Sequence, residues 1–220
     1  MKLTLVTAPA DEPFLLEPLS PPDGSSLMEW LNVVRDDETE LVRECAIAAR
    51  QEAEVVTDRR FIDQVWDLVL PGFPAVITLP YPPLRWTGSP LTPDVAITYR
   101  APDGTVETLD SDAYEVWAPR GEFADPAEIR PAYEQLWPQT ACVWNAVTVR
   151  FGCGYGASFD DVPAGLRKVI ARLTEEQYRV RGVTITSTGS QRERPVQSGF
   201  TVRDALMPYR VLDAWWREAC

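Results

Sequence analysis

The sequence predicts an α+β chain in which a long antiparallel β region lies between helical segments. Three observations carry this. Between Phe61 and Phe151, apolar residues recur at even spacing in short runs joined by proline-rich connections, as half-buried strands require. On either side of that region they recur at spacings of three and four, as on the inward face of a helix. The two regimes meet at Asn145-Ala-Val-Thr-Val-Arg-Phe-Gly-Cys-Gly-Tyr-Gly, a strand pattern that stops at spaced glycines. Val162-Pro-Ala-Gly-Leu-Arg follows and starts a helix, with Pro163 at the first helical position, where a missing N–H costs nothing.

In chain order, Leu3 to Val6 reads as a short edge strand. Ala8 to Gly24 holds five prolines and reads as an extended arm. Ser25 or Ser26 caps a first helix carrying Leu27, Trp30, Leu31 and Val34, and Arg35-Asp36 breaks it. Asp37 caps a second helix to about Thr57, with Glu38 and Glu40 near the positive end of its dipole. Its inward stripe is Val42, Ala46, Ala49, Ala53 and Val56. Strands are predicted at Ile62 to Leu70, Val76 to Leu79, Val95 to Tyr99, Thr105 to Leu109, Tyr114 to Trp117 and Val147 to Phe151. Asp103-Gly104 is a hairpin signal between two of them. Short strands with proline-rich turns point to a small antiparallel barrel or sandwich. A third helix spans about Pro163 to Val180, with Leu166, Val169, Ile170 and Leu173 inward. Gly182 to Gly199 is a polar linker. Val202, Ala205 and Leu206 form a helical turn that Pro208 ends. The expected division is an arm at 1–24, a helical part at 25–60 and 157–182, a β domain at 61–156, and a loop with a C-terminal tail at 183–220.

Composition narrows the function classes. The chain has 220 residues, 45% of them hydrophobic and 25% charged, as in ordinary soluble globular proteins. Its apolar runs fall short of the roughly 20 residues that span a bilayer. The N-terminus lacks the apolar core of a secretory signal, so no membrane association is expected. There is no histidine, which removes the usual Ser-His and Cys-His mechanisms and most transition-metal sites. The four cysteines, at 45, 142, 153 and 220, show no metal-ligand or redox spacing and read as free thiols in a reducing compartment. The glycine run lacks the Gly-Lys-Ser/Thr ending of a phosphate loop and the full spacing of a dinucleotide fingerprint. Asp110, Asp112, Asp160 and Asp161 lie in predicted turns, where carboxylates cap backbone amides. No catalytic residue, metal or cofactor is therefore expected.

Net charge is −12, unevenly placed: the segment from Pro163 onward carries ten basic and six acidic residues, and the first 162 residues carry −16. An acidic body disfavours wrapping nucleic acid, whereas the basic last quarter suits an acidic partner surface. Of the eight tryptophans, Trp66, Trp117 and Trp144 lie in or beside predicted strands and read as core. Trp215 and Trp216 are adjacent on a short terminal segment and cannot both face one core, so at least one is expected to cover another chain.

Taken together, several of these pieces resemble the head–tail connector (adaptor) proteins of long-tailed double-stranded DNA phages and phage-like gene transfer agents. The resemblance runs through Leu3-Thr-Leu-Val-Thr-Ala-Pro-Ala-Asp-Glu-Pro, Leu27 to Arg35, the acidic start of the second helix, Pro82-Pro83-Leu84 and Tyr114-Glu-Val. It continues through Trp137-Pro, the glycine run with Val162-Pro-Ala-Gly-Leu-Arg, and Leu206-Met-Pro-Tyr-Arg. It implies a small helical bundle with an antiparallel β domain inserted between helices two and three, and an extended C-terminal tail. It also implies a ring of about twelve subunits beneath the portal protein. That ring extends the DNA channel without binding DNA specifically and seats the next head-completion or tail-side protein. The site would be a particle's head–tail junction, assembled in the bacterial cytoplasm. The portal-reaching segment maps onto Leu206, Pro208, Tyr209 and Arg210, continued by Val211, Leu212, Trp215 and Trp216. Two departures stand out: the proline-rich stretch before helix one, and the tail beyond Pro-Tyr-Arg. On the third helix, Arg172, Glu175, Glu176 and Arg179 recur at three, four and seven, so unlike charges can pair across subunits. Two other classes stay open. One is a carbohydrate-binding β module, which needs coplanar exposed tryptophans. The other is a carboxylate-dependent hydrolase, which needs a cleft with paired acids.

Overall fold

The computed structural model describes residues 1–9, 27, 31, 38–88, 92–180 and 204–211. The fold is α+β, with two compact units. The β unit takes in residues 1–9, 58–88, 92–157 and 211; the helical unit takes in 27, 31, 38–57, 158–180 and 204–210.

Among the described residues, ten strands build the β unit: β1 (Lys2–Thr7), β2 (Gln64–Leu70), β3 (Ile77–Leu79), β4 (Trp86–Thr87), β5 (Thr92–Pro93), β6 (Val95–Arg100), β7 (Val106–Thr108), β8 (Tyr114–Trp117), β9 (Ala127–Pro131) and β10 (Val147–Cys153). Five form an antiparallel sheet in the order β1-β2-β10-β6-β7, three form a second sheet in the order β3-β9-β8, and β4 and β5 pair as a short ribbon. Register follows the alternation in the sequence. Val149 pairs with Leu68 on one side and Ile97 on the other, and all three are buried. Ile77 and Ile129 pair across the small sheet and are buried too. Apolar side chains from both sheets form one cluster, so the unit is a sandwich rather than a closed barrel. The β6–β7 hairpin turns at Asp103-Gly104. There the Asp103 carboxylate accepts from the Thr105 N–H at 2.9 Å, and Gly104 has φ +92°. The expected edge strand is β1, paired along β2 at the rim of the large sheet.

In the helical unit, α1 (Thr39–Thr57) and α2 (Ala164–Val180) lie against one another. They are the predicted second and third helices. Of the first predicted helix, only Leu27 and Leu31 are described, joined by an N–H to C=O bond of 3.0 Å; Trp30 and Val34 lie outside the described residues. Val42, Ala46, Ala49 and Ala53 are buried along α1, and Leu166, Val169, Ile170 and Leu173 along α2. Val56 is only half-buried. The buried face of α1 also carries Arg50 and Glu54, bonded to each other at 2.9 Å. Both side chains are almost fully removed from water, where breaking such a pair costs far more than at the surface. A Ser158 capping box starts the short 3-10 turn Phe159–Asp161 ahead of α2, with the Asp161 carboxylate accepting from the Ser158 N–H at 3.0 Å.

Candidate assembly surfaces

The C-terminal segment carries most of the predicted site. Asp204–Tyr209 is a 3-10 turn lying against α1 and α2. Leu206 is fully buried and Tyr209 nearly so, while Met207, Pro208 and Arg210 are exposed. Val211, in the β unit, is buried. Leu206, Tyr209 and Val211 are thus covered within the chain itself. Side chains three apart on a 3-10 turn share one face, so Leu206 and Tyr209 point to the same side. Leu212, Trp215 and Trp216 lie outside the described residues.

On α2, Arg172, Glu176 and Arg179 are exposed and Glu175 is half-buried. Arg179 pairs with Glu175 one turn earlier at 2.6 Å, so this pair closes within one helix. The structure brings all four onto adjoining turns of α2.

The glycine run has a packing reason that its sequence does not reveal. The strand pattern ends at Phe151, yet β10 continues through Gly152 to Cys153. Gly152 is bonded through its backbone to Arg85 and Asp94, at 2.9 Å each. The side chains of those two residues pair directly over it, the Arg85 Nε donating to Asp94 Oδ2 at 2.8 Å. Asp63 lies 3.5 Å from the same guanidinium. A Cβ on Gly152 would sit 2.2 Å from Asp94 Oδ2 and 2.7 Å from Arg85 Nε. Burial alone lowers the Arg85 pKa, but the hydrogen bonds and charges of Asp94 and Asp63 outweigh it and hold it above the ordinary value. Gly154 has φ +138°, and a Cβ there would lie 2.7 Å from the backbone of Ile62 and Asp63. Close by, the Tyr155 hydroxyl donates to the Glu122 carbonyl at 2.7 Å. Burial raises the Tyr155 pKa, partly opposed by the nearby Arg59.

The β unit exposes aromatic side chains that the sequence reading placed in the core. Trp144 is 92% exposed and Trp117 60%. Trp144 belongs to the connection 132–146 between β9 and β10, which also displays Tyr133 at 85% and Leu136 at 90% exposure. This loop is pinned. Trp137 stacks on Phe73 with ring centroids 4.7 Å apart, and Ala141 donates to the Arg100 carbonyl at 2.8 Å. Trp117 stands on the outer face of the small sheet, beside a groove of about 540 Å³ lined by Glu115, Val116, Trp117, Glu128 and Arg130. Arg130 pairs with Glu128 at 2.7 Å. Strand periodicity was the available signal for Trp117. Tyr114 and Val116 are half-buried, whereas Glu115 and Trp117 are exposed, so Trp117 shares the face of a glutamate.

Two of the turn carboxylates cap backbone, Asp110 accepting from the Asp112 N–H at 3.1 Å and Asp161 from the Ser158 N–H at 3.0 Å, whereas Asp160 pairs with Arg167 at 2.8 Å. Among the described residues, no group of three or more His, Cys, Asp and Glu side chains could hold a metal ion. Cys45, Cys142 and Cys153 are not in disulfides. No helix among these residues is long and apolar enough to cross a membrane.

Solved structures share this architecture. A chain in the neck of an empty GTA particle, computed with C6 symmetry, matches with a TM-score of 0.66 at 19% identity. A chain in the virion of a native gene transfer agent (GTA) particle matches at 0.61 and 18%. One in the neck of a native GTA particle, computed with C12 symmetry, matches at 0.60 and 16%. Each match covers 96% of both chains. At this identity the likeness establishes a common fold over nearly the whole length. No protein-family model and no curated protein matches the chain.

Proposed function

We propose that this chain is a non-catalytic head–tail connector of a phage-like particle, forming a ring of about twelve copies beneath the portal. The observation that carries the reading is the agreement over 96% of both chains with proteins of GTA particle necks, reached from a sequence that independently resembles the connectors. The ring extends the DNA channel, and its acidic balance suits a passage that must release phosphates rather than hold them. It seats a head-completion or tail-side protein on its other face.

Portal contact is assigned to the C-terminal segment. Leu206 and Tyr209 hold the turn to the helices, and Met207, Pro208 and Arg210 present it outward. Val211 continues the segment, with Leu212, Trp215 and Trp216 beyond it. Subunit contact is assigned to the exposed charges of α2, with Arg172 and Glu176 reaching a neighbour and Glu175 and Arg179 beside them. Exposed pairs are worth about 0–1 kcal/mol each, so such contacts act through repetition around the ring. Replacing Met207 and Arg210 by Ser and Glu tests the portal assignment. The variant should fold normally and fail to join filled heads. Undiminished joining would overturn it.

A further inference from the structure

Among the described residues, two exposed aromatic features of the β unit remain uncovered: the 132–146 loop and the Trp117 groove. With Trp144 at 92% and Trp117 at 60% exposure, neither covers the other within one molecule. We propose that they meet between copies: Trp144 and Leu136 of one subunit enter the Trp117 groove of the next. This rests on the ring reading above and adds a second contact between neighbours, through the β units.

Chemistry on the two sides is matched. The loop carries one charged residue, Glu134, and its protruding groups are an indole, a phenol and an isobutyl side chain. Indole N–H and phenol O–H are donors that need acceptors when buried. The groove offers an aromatic face at Trp117 flanked by the carboxylates of Glu115 and Glu128, which accept. Its guanidinium, Arg130, is already paired with Glu128, so on docking the Glu115 carboxylate is the charge that the loop's donors must meet. A volume of about 540 Å³ falls within the range of sites that hold a few large groups.

Geometry also favours a contact that propagates. Loop and groove are different patches, so the interface is heterologous: each copy gives a loop to one neighbour and a groove to the other. Such contacts close into rings when the rotation fits. The loop is stiff, pinned by the Phe73–Trp137 stack and the Arg100 carbonyl, so little ordering cost attends docking. Tyr133, Leu136 and Trp144 together offer on the order of 500 Å², below the ~800 Å² per partner of a standard stable interface. The free chain is therefore monomeric when dilute and associates as its concentration rises.

Sedimentation velocity on the full chain, from micromolar to near-millimolar concentration, tests the pairing. Wild type should form species larger than dimers. A loop variant (Leu136→Ser with Trp144→Ser) and a groove variant (Trp117→Ser) should each associate at least about thirtyfold more weakly. These side chains are exposed, and circular dichroism checks that each variant keeps its fold. Mixed in equal amounts, the two variants retain one intact loop and one intact groove, and should form dimers and nothing larger. A mixture that stays monomeric or grows beyond dimers, a variant that associates like wild type, or a wild type that never associates would each overturn the pairing. None of these outcomes bears on whether a ring forms on the portal, which is read separately by imaging.

Discussion

Replacing Gly152 by alanine should destabilise the β unit by crowding an ion pair, and the size of the effect follows from the geometry. The new Cβ would meet Asp94 Oδ2 at 2.2 Å and Arg85 Nε at 2.7 Å, so the pair above β10 must move. The Asp94 and Arg85 side chains are 34% and 28% exposed and can swing outward. Losing a pair so exposed costs at most about 1 kcal/mol. Overpacking adds roughly 1–3 kcal/mol. A total of about 2 kcal/mol is expected. Gly154→Ala should cost more, about 4 kcal/mol, because the atoms at 2.7 Å are backbone and the φ of +138° is strained for alanine. Gly104→Ala meets nothing within 4 Å and carries only the conformational cost of its φ, about 1 kcal/mol. Urea unfolding, followed by tryptophan fluorescence, ranks the three. A double-mutant cycle isolates the cause. In an Asp94→Ala background the closest atom is gone and Arg85 can turn to Asp63, so Gly152→Ala should lose about 1 kcal/mol of its cost. If Gly152→Ala costs no more than Gly104→Ala, or costs the same with and without Asp94, the packing account of the glycine run fails.

Other consequences follow from burial and charge. Leu206→Ala should destabilise the helical unit by about 2–5 kcal/mol, whereas Met207→Ala should stay within about 0.5 kcal/mol of wild type in the same denaturation assay. Arg50→Ala removes the guanidinium that pairs with the buried Glu54 carboxylate and should cost about 3–5 kcal/mol, while Arg50→Met combined with Glu54→Leu should recover most of that loss in thermal unfolding. Burial raises the pKa of Tyr155 and Tyr114. A raised folded value favours the neutral phenol, so this stabilisation is complete below the ordinary tyrosine pKa of about 10 and is lost as pH rises through the folded values. Tyrosinate absorbance should therefore lag the unfolded chain, and Tyr155→Phe should flatten the alkaline loss of stability.

Much of the fold is legible because period and burial coincide. Val147, Val149 and Phe151 alternate and are buried, and Leu166, Val169, Ile170 and Leu173 repeat at helical spacing and are buried. Strand β9 escapes a pattern reading because Ala127–Pro131 sits beside Pro126, ends in proline, and holds a single β-branched residue, Ile129. The Arg50–Glu54 spacing of four is visible in the sequence, but not its burial, which comes from what packs over α1. Likewise Leu206 and Tyr209 look like a free tail until the turn at 204–209 is laid against the helices. The tryptophans mislead for a simple reason: a large apolar residue reads as core unless its alternation partners show which face it takes. Trp117 has such partners, whereas Trp144, in a connection, has none.

On the proposed function, this chain works as a closed ring on a portal. Single-particle imaging of the full chain mixed with the portal of its own particle tests it most directly. A continuous ring of about twelve copies is expected on one face of the portal, with the 204–209 turn at the portal side and a central opening wide enough for duplex DNA. Portals that remain bare, or that carry scattered single copies with no ring, would contradict it.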